Sequence, residues 1–104
     1  MILGFDARAQ KVKKMEFIIF YLDWAGTQNE LEDILGDWKK GAAQTEGVKY
    51  VAHWIPHSSK WHHAVFYEAD SYTKVRESWR SIGTTRDYSK LTHGAMELFV
   101  KRGT

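Results

Sequence analysis

The chain carries five histidines, His53, His57, His62, His63 and His93, and no cysteine. Imidazole titrates near neutral pH, so these residues are where proton transfer or metal ligation would begin. Their spacing argues against a metal. Neighbouring residues of a strand point to opposite faces, so His62 and His63 do not converge on one ion. His53 and His57 have the spacing of a helical ligand pair, but Pro56 places them on extended chain. A structural site needs four ligands, and the sequence does not assemble them. We assign no metal and no cofactor.

Acid–base chemistry has a better candidate. His53 lies between Val51 and Ile55 in an apolar stripe, where a polar ring needs a partner. Glu68 interrupts an apolar strand beside Phe66 and Tyr67. On neighbouring strands, His53 would act as general base and Glu68 would orient it. Whether they share a face depends on hairpin register, because a slip of one residue reverses the answer. A cavity at the sheet face would draw its ligand contacts from Tyr21, His53, Trp54, His63 and Glu68. Which of His53 and Trp54 faces that cavity stays open. A structural or interface role for the His53/Glu68 pair competes with catalysis, since ion-pair networks perturb titration as sites do.

Single-stranded RNA is a third reading. The RNA recognition motif expects Lys/Arg-Gly-aromatic-Gly-aromatic-Val-x-aromatic on its third strand. The stretch here is Lys60-Trp61-His62-His63-Ala64-Val65-Phe66-Tyr67. Lys60, Val65 and Tyr67 fit, Trp61 and His63 replace both glycines, and Ala64 removes a stacking ring. Base stacking contributes about 1–3 kcal/mol per base, and the net charge is only +2. The balance is against nucleic acid.

These residues need elements to hold them. Phe17-Ile18-Ile19-Phe20-Tyr21-Leu22 is apolar on both faces and predicts a central strand over Met15–Asp23. Thr27 and Glu30 form a capping box, and Leu31, Ile34, Leu35, Trp38 and Ala42 continue at helical spacing, so a helix is expected over Gln28–Gln44 with Gly47 as its stop. Val48–Ile55 reads as the second strand, ended by Pro56. His57 to Lys60 is a connection, and Trp61–Ala69 is the third strand. Asp70 or Ser71 caps a second helix with the stripe Tyr72, Val75, Trp79 and Ile82, closed by Gly83. Thr84 to His93 is a polar connection with a turn around Tyr88 to Leu91, and Ala95–Lys101 is the last strand.

The order β-α-β-β-α-β defines the fold class as α+β, a ferredoxin-like sandwich with a four-stranded antiparallel sheet and both helices on one face. At 104 residues there is room for one such domain, over 15–104, behind a basic arm at 1–14 that carries Arg8, Lys11, Lys13 and Lys14. Two helices cover only one face of the sheet. The other would expose Phe17, Ile19, Tyr21 and Phe99 with either Tyr50 and Trp54 or Val51 and Ile55. A patch of that size calls for a partner, and a homodimer through the sheet face is the expected remedy. Without cysteine or a long apolar run, the chain is expected in the cytoplasm, away from membranes.

The element order, the two-sided first strand and the Val48–Ala69 hairpin resemble the dimeric α/β-barrel superfamily. The pieces Glu46-Gly47-Val48-Lys49, His53-Trp54 and Tyr67-Glu68-Ala69-Asp70 are similar to its small uncharacterised domains. The resemblance, over Met15 to Arg102, implies a dimeric α/β barrel. It also implies a function drawn from cofactor-independent monooxygenases, lactone isomerases, haem-degrading enzymes or proteins without known activity. It carries no catalytic triad onto this sequence. The expected function is a homodimer binding a small organic ligand at the sheet face, with the monooxygenase or isomerase as the enzymatic alternative.

Overall fold

A computed structural model of the chain describes residues 16–57, 60–83 and 86–100. The basic arm lies outside them. The elements run β1 (Glu16–Trp24), α1 (Gln28–Ala43), β2 (Val48–Trp54), β3 (His63–Ala69), α2 (Tyr72–Ile82) and β4 (Leu91–Val100). The sheet has the order β2-β3-β1-β4 and every pairing is antiparallel. The two-sided apolar strand β1 is therefore central, as its sequence requires.

Both helices start where their caps dictate. The Thr27 hydroxyl accepts from the Glu30 N–H, and the Glu30 carboxylate accepts from the Thr27 N–H. Ser71 accepts from the Lys74 N–H, and Gly83 ends α2 in the left-handed region at φ 60°. The helices meet at Gly41, where a β-carbon would collide with the Ser78 carbonyl. The α1 stripe Leu31, Ile34, Leu35, Trp38 and Ala42 is buried against Ile18, Phe20 and Leu22 of β1 and Val65, Tyr67 and Ala69 of β3. Met96, Leu98 and Val100 of β4 lie on the same side of the sheet but remain exposed.

Two expectations change. The sheet is open: β2 and β4 are its two edges and do not pair with each other. The dimeric α/β barrel is thus corrected to an open ferredoxin-like sandwich. Closure needs the edge strands to meet with matched tilt and stagger, and β3 and β1 stand between them. The second correction is a bulge in β2. Tyr50 opposes Tyr67, but Ala52 opposes Phe66, so Val51 is an extra residue. Side-chain parity flips there. Tyr50 faces the helices and Trp54 faces the open side, so the expected Tyr50 and Trp54 face does not form. β4 also begins earlier than expected, at Leu91, after a turn in which the Leu91 N–H donates to the Tyr88 carbonyl at 3.0 Å.

Candidate functional site

The Val51 bulge decides the fate of the expected His53/Glu68 pair. His53 opposes Val65, which faces the helices, whereas Glu68 opposes Phe17 and Lys49 on the open side. The sheet lies between them, so the structure does not bring His53 and Glu68 together. His53 instead meets His63: ring nitrogens Nε2 and Nδ1 lie 3.0 Å apart and the rings stack at 5.2 Å. Burial lowers the pKa of both, and each also feels neighbouring cationic groups: His63 and Lys39 for His53, His62 for His63. Asp23 opposes the fall at His63. Asp23 itself is held below the usual carboxylate range, first by the His62 backbone N–H at 2.7 Å and then by the His62 ring at 2.8 Å. Among the described residues no group of three or more histidines and carboxylates is placed to hold a metal.

The remaining expected contacts fall on the open face. Trp54 packs on Phe66 with ring centroids 4.7 Å apart, and Phe66 on Phe17 at 5.4 Å. The Tyr21 hydroxyl donates to Glu97 at 2.9 Å, and that carboxylate raises the phenol pKa. The five expected ligand residues thus divide: His53 and His63 on the helix side, Tyr21, Trp54 and Glu68 on the other.

The helix side holds a cavity of about 490 Å³, lined chiefly by Phe20, Trp38, Trp79, Tyr88 and Leu91, with Arg80 among its lining residues. That volume suits a small organic molecule. Its walls come from four elements. Phe20 projects from β1, and Trp38 and Trp79 come from the apolar stripes of α1 and α2. Tyr88 comes from the segment that leads into β4, and Leu91 is the first residue of that strand. Trp79 sits 4.9 Å from the Phe20 ring and 5.5 Å from Trp38. Trp79 Nε1–H donates to the Tyr67 hydroxyl at 3.0 Å, which fixes the indole plane. Burial pushes the Tyr67 phenol far up, so it stays neutral. Salt bridges tie the segment around Tyr88 to α1: Arg86 to Asp37 and Asp33, and Lys90 to Glu30 at 3.5 Å.

Sequence reasoning placed Trp38 and Trp79 in helical stripes and stopped at core packing. The available signal was their size. Two indoles on facing stripes, one turn or less from the Gly41 and Ser78 helix contact, place aromatic walls beside the closest approach of the helices.

No protein-family model matches the chain, and no curated protein matches it. Solved structures do. The chain is similar to SnoaB, a cofactor-independent oxygenase from Streptomyces nogalater, with a TM-score of 0.59 and 14% identity over 88% of this chain and 96% of that one. It also aligns with a dimeric ferredoxin-like protein of unknown function from Thermobifida fusca YX (TM-score 0.49, 12% identity, 85% of this chain and 90% of that one). A third is a dimeric protein of unknown function and ferredoxin-like fold from Bacteroides fragilis NCTC 9343 (TM-score 0.46, 11% identity, 86% and 96%). At these identities the likeness is one of fold.

Proposed function

We propose that the aromatic cavity beneath the helices binds a small, planar, electron-rich organic molecule, and that the protein oxygenates it without a cofactor, working as a homodimer joined through the open face of the sheet. The observation that carries the reading is the cavity itself, walled by Phe20, Trp38, Trp79 and Tyr88 with Arg80 among its lining residues. The shared fold with a cofactor-independent oxygenase supports it. The exposed aromatics Trp54 and Phe99 on the open face support the dimer.

The chemistry follows from the walls. Dioxygen is a triplet, so a substrate without a cofactor must itself give up the first electron, which an ionised phenol does readily. A cation at the mouth of the site stabilises that anion, and Arg80, exposed at the cavity's rim, is the cation among the lining residues. Aromatic faces stack on the ring and exclude water. The phenol's proton leaves to solvent on ionisation. Electron transfer gives a radical pair whose collapse forms a C–O bond and a peroxide anion. That anion takes a proton back from solvent to become a hydroperoxide, and loss of water leaves a carbonyl. One oxygen atom enters the product and the other leaves as water.

1-Naphthol tests this reading, because its oxygenation gives 1,4-naphthoquinone and one water per dioxygen. Saturable quenching of tryptophan fluorescence and oxygen uptake above the uncatalysed rate are expected. Trp79→Ala should weaken binding at least about tenfold, the loss of one stacking contact of about 1.4 kcal/mol. Arg80→Gln, at an exposed position that leaves the core intact, should slow uptake more than it weakens binding. Quenching without uptake would reduce the protein to a ligand binder, and neither signal would remove the cavity from its function.

A further inference from the structure

A second concavity lies outside the aromatic cavity, between the C-terminal half of α1 and the edge strand β2, with a volume of about 660 Å³. Lys39, Tyr50 and His53 line it, Lys49 also borders it, and the other lining residues are alanines and valines. No carboxylate contributes. The Lys39 ammonium stands 5.6 Å from the centre of the Tyr50 ring, and His53 Nε2 lies 3.0 Å from His63 Nδ1. The Tyr50 hydroxyl is buried with no partner among the described residues. The Lys39 ammonium over an apolar floor, beside the neutral His53 ring and an orphan hydroxyl and with no acid among the lining residues, lacks the anion that would complete it.

We propose that the groove between α1 and β2 binds an organic monocarboxylate, with its carboxylate on Lys39 and His53 and its apolar body on Tyr50 and the small aliphatic residues Ala42, Ala43 and Val48. The valines and alanines favour a ligand with a hydrophobic body over inorganic phosphate, and the Tyr50 face favours a ring. The fold supports such a groove, because β2 is an edge strand and the Val51 bulge turns His53 to the helix side, toward α1. The groups facing His53 are Lys39 from α1 and His63 from β3, and both disfavour its charged form. A carboxylate between Lys39 and His53 would reverse that and raise the His53 pKa toward its ordinary value. The site stands apart from the aromatic cavity, with which it shares no lining residue.

Benzoate, benzyl alcohol and inorganic phosphate are the probes, added to the full chain while the histidine ring resonances are followed by NMR, with His53→Gln to assign the His53 signal. Benzoate should shift the His53 resonance saturably and raise its midpoint pH. Benzyl alcohol and phosphate should each bind at least about tenfold more weakly. Lys39→Met, at an exposed position, should abolish the benzoate response, and Tyr50→Phe should reduce it while leaving the fold intact. Three results would overturn the proposal: no saturable shift with benzoate, an undiminished response in Lys39→Met, or phosphate or benzyl alcohol binding as tightly as benzoate. Oxygen uptake with 1-naphthol is read separately, so failure of either site leaves the other standing.

Discussion

The two faces of the sheet are built from the same strands and alternate residues, yet their central strands differ in cover. On the helix side Ile18, Val65 and Tyr67 are wholly buried, although Met96, Leu98 and Val100 of the edge strand β4 stay exposed there. On the other side Trp54 is 59% exposed and Phe99 50%. Apolar content does not separate them, since Phe17, Ile19, Phe66, Trp54 and Phe99 match the helix side in bulk. The difference is cover. Two helices supply one layer, and a domain of this size has no third layer to spend. The buried face therefore carries the monomer's stability and the cavity. The open face carries exposed aromatics, the surface on which the proposed homodimer would form.

The sharpest way to break this contrast is to truncate one residue from each side. Leu31 on α1 is 1% exposed and packs into the core beneath the helices. Leu31→Ala should destabilise the protein by about 2–5 kcal/mol, measured by urea denaturation. The loss should persist at every protein concentration. If it vanished at high concentration, the core would depend on assembly and the two faces would not be independent.

The open face predicts the reverse pattern. Trp54→Ala with Phe99→Ala removes two large exposed side chains and should cost the monomer little. Association should fall by at least about 2 kcal/mol, roughly thirtyfold in the dissociation constant, as expected for aromatic anchors at an interface. Analytical ultracentrifugation reads it directly. A wild-type chain that sediments as a monomer at high concentration would leave the open face without a partner and end the homodimer reading.

How far each face was legible in the sequence follows the same division. The helices, their caps and the strand order were written in local signals: the Thr27/Glu30 box, the Leu31–Ala42 stripe, Gly83 after Ile82. The faces of β1 followed from alternation alone. The faces of β2 did not, because the Val51 bulge depends on pairing with β3 and leaves no local mark between Tyr50 and Ala52. That single residue moved His53 away from Glu68 and toward His63. The cavity was hidden for a related reason. A tryptophan stripe reads the same whether the indole fills the core or walls a space, and only the closeness of α1 and α2 at Gly41 distinguishes them. The end of the barrel expectation has a different origin: local patterns specify strands, whereas closure is a property of the edges.

The smallest expected effect lies where β2 turns its bulge, at the His53/His63 pair. Both rings have folded-state pKa values below the ordinary 6.5, chiefly through burial. The unfolded chain therefore binds more protons than the folded one over the interval between the folded values and 6.5. Stability is full above 6.5 and declines as pH falls through that interval, since protonation favours the unfolded chain. The groups that set the shifts are Lys39 on α1, Asp23 on β1 and His62 in the connection, together with the two rings themselves. Of these, Asp23 alone opposes the decline while it remains ionised. His53→Gln should flatten the slope of unfolding free energy against pH in that interval, and His63→Gln should do the same. The double variant should do no more than about the sum of the two. Trp54, next in sequence but turned to the open face, supplies the control: Trp54→Ala should leave the slope unchanged. A pH slope that survives in the double histidine variant would place the proton-linked destabilisation elsewhere and remove the bulge's one measurable consequence for stability.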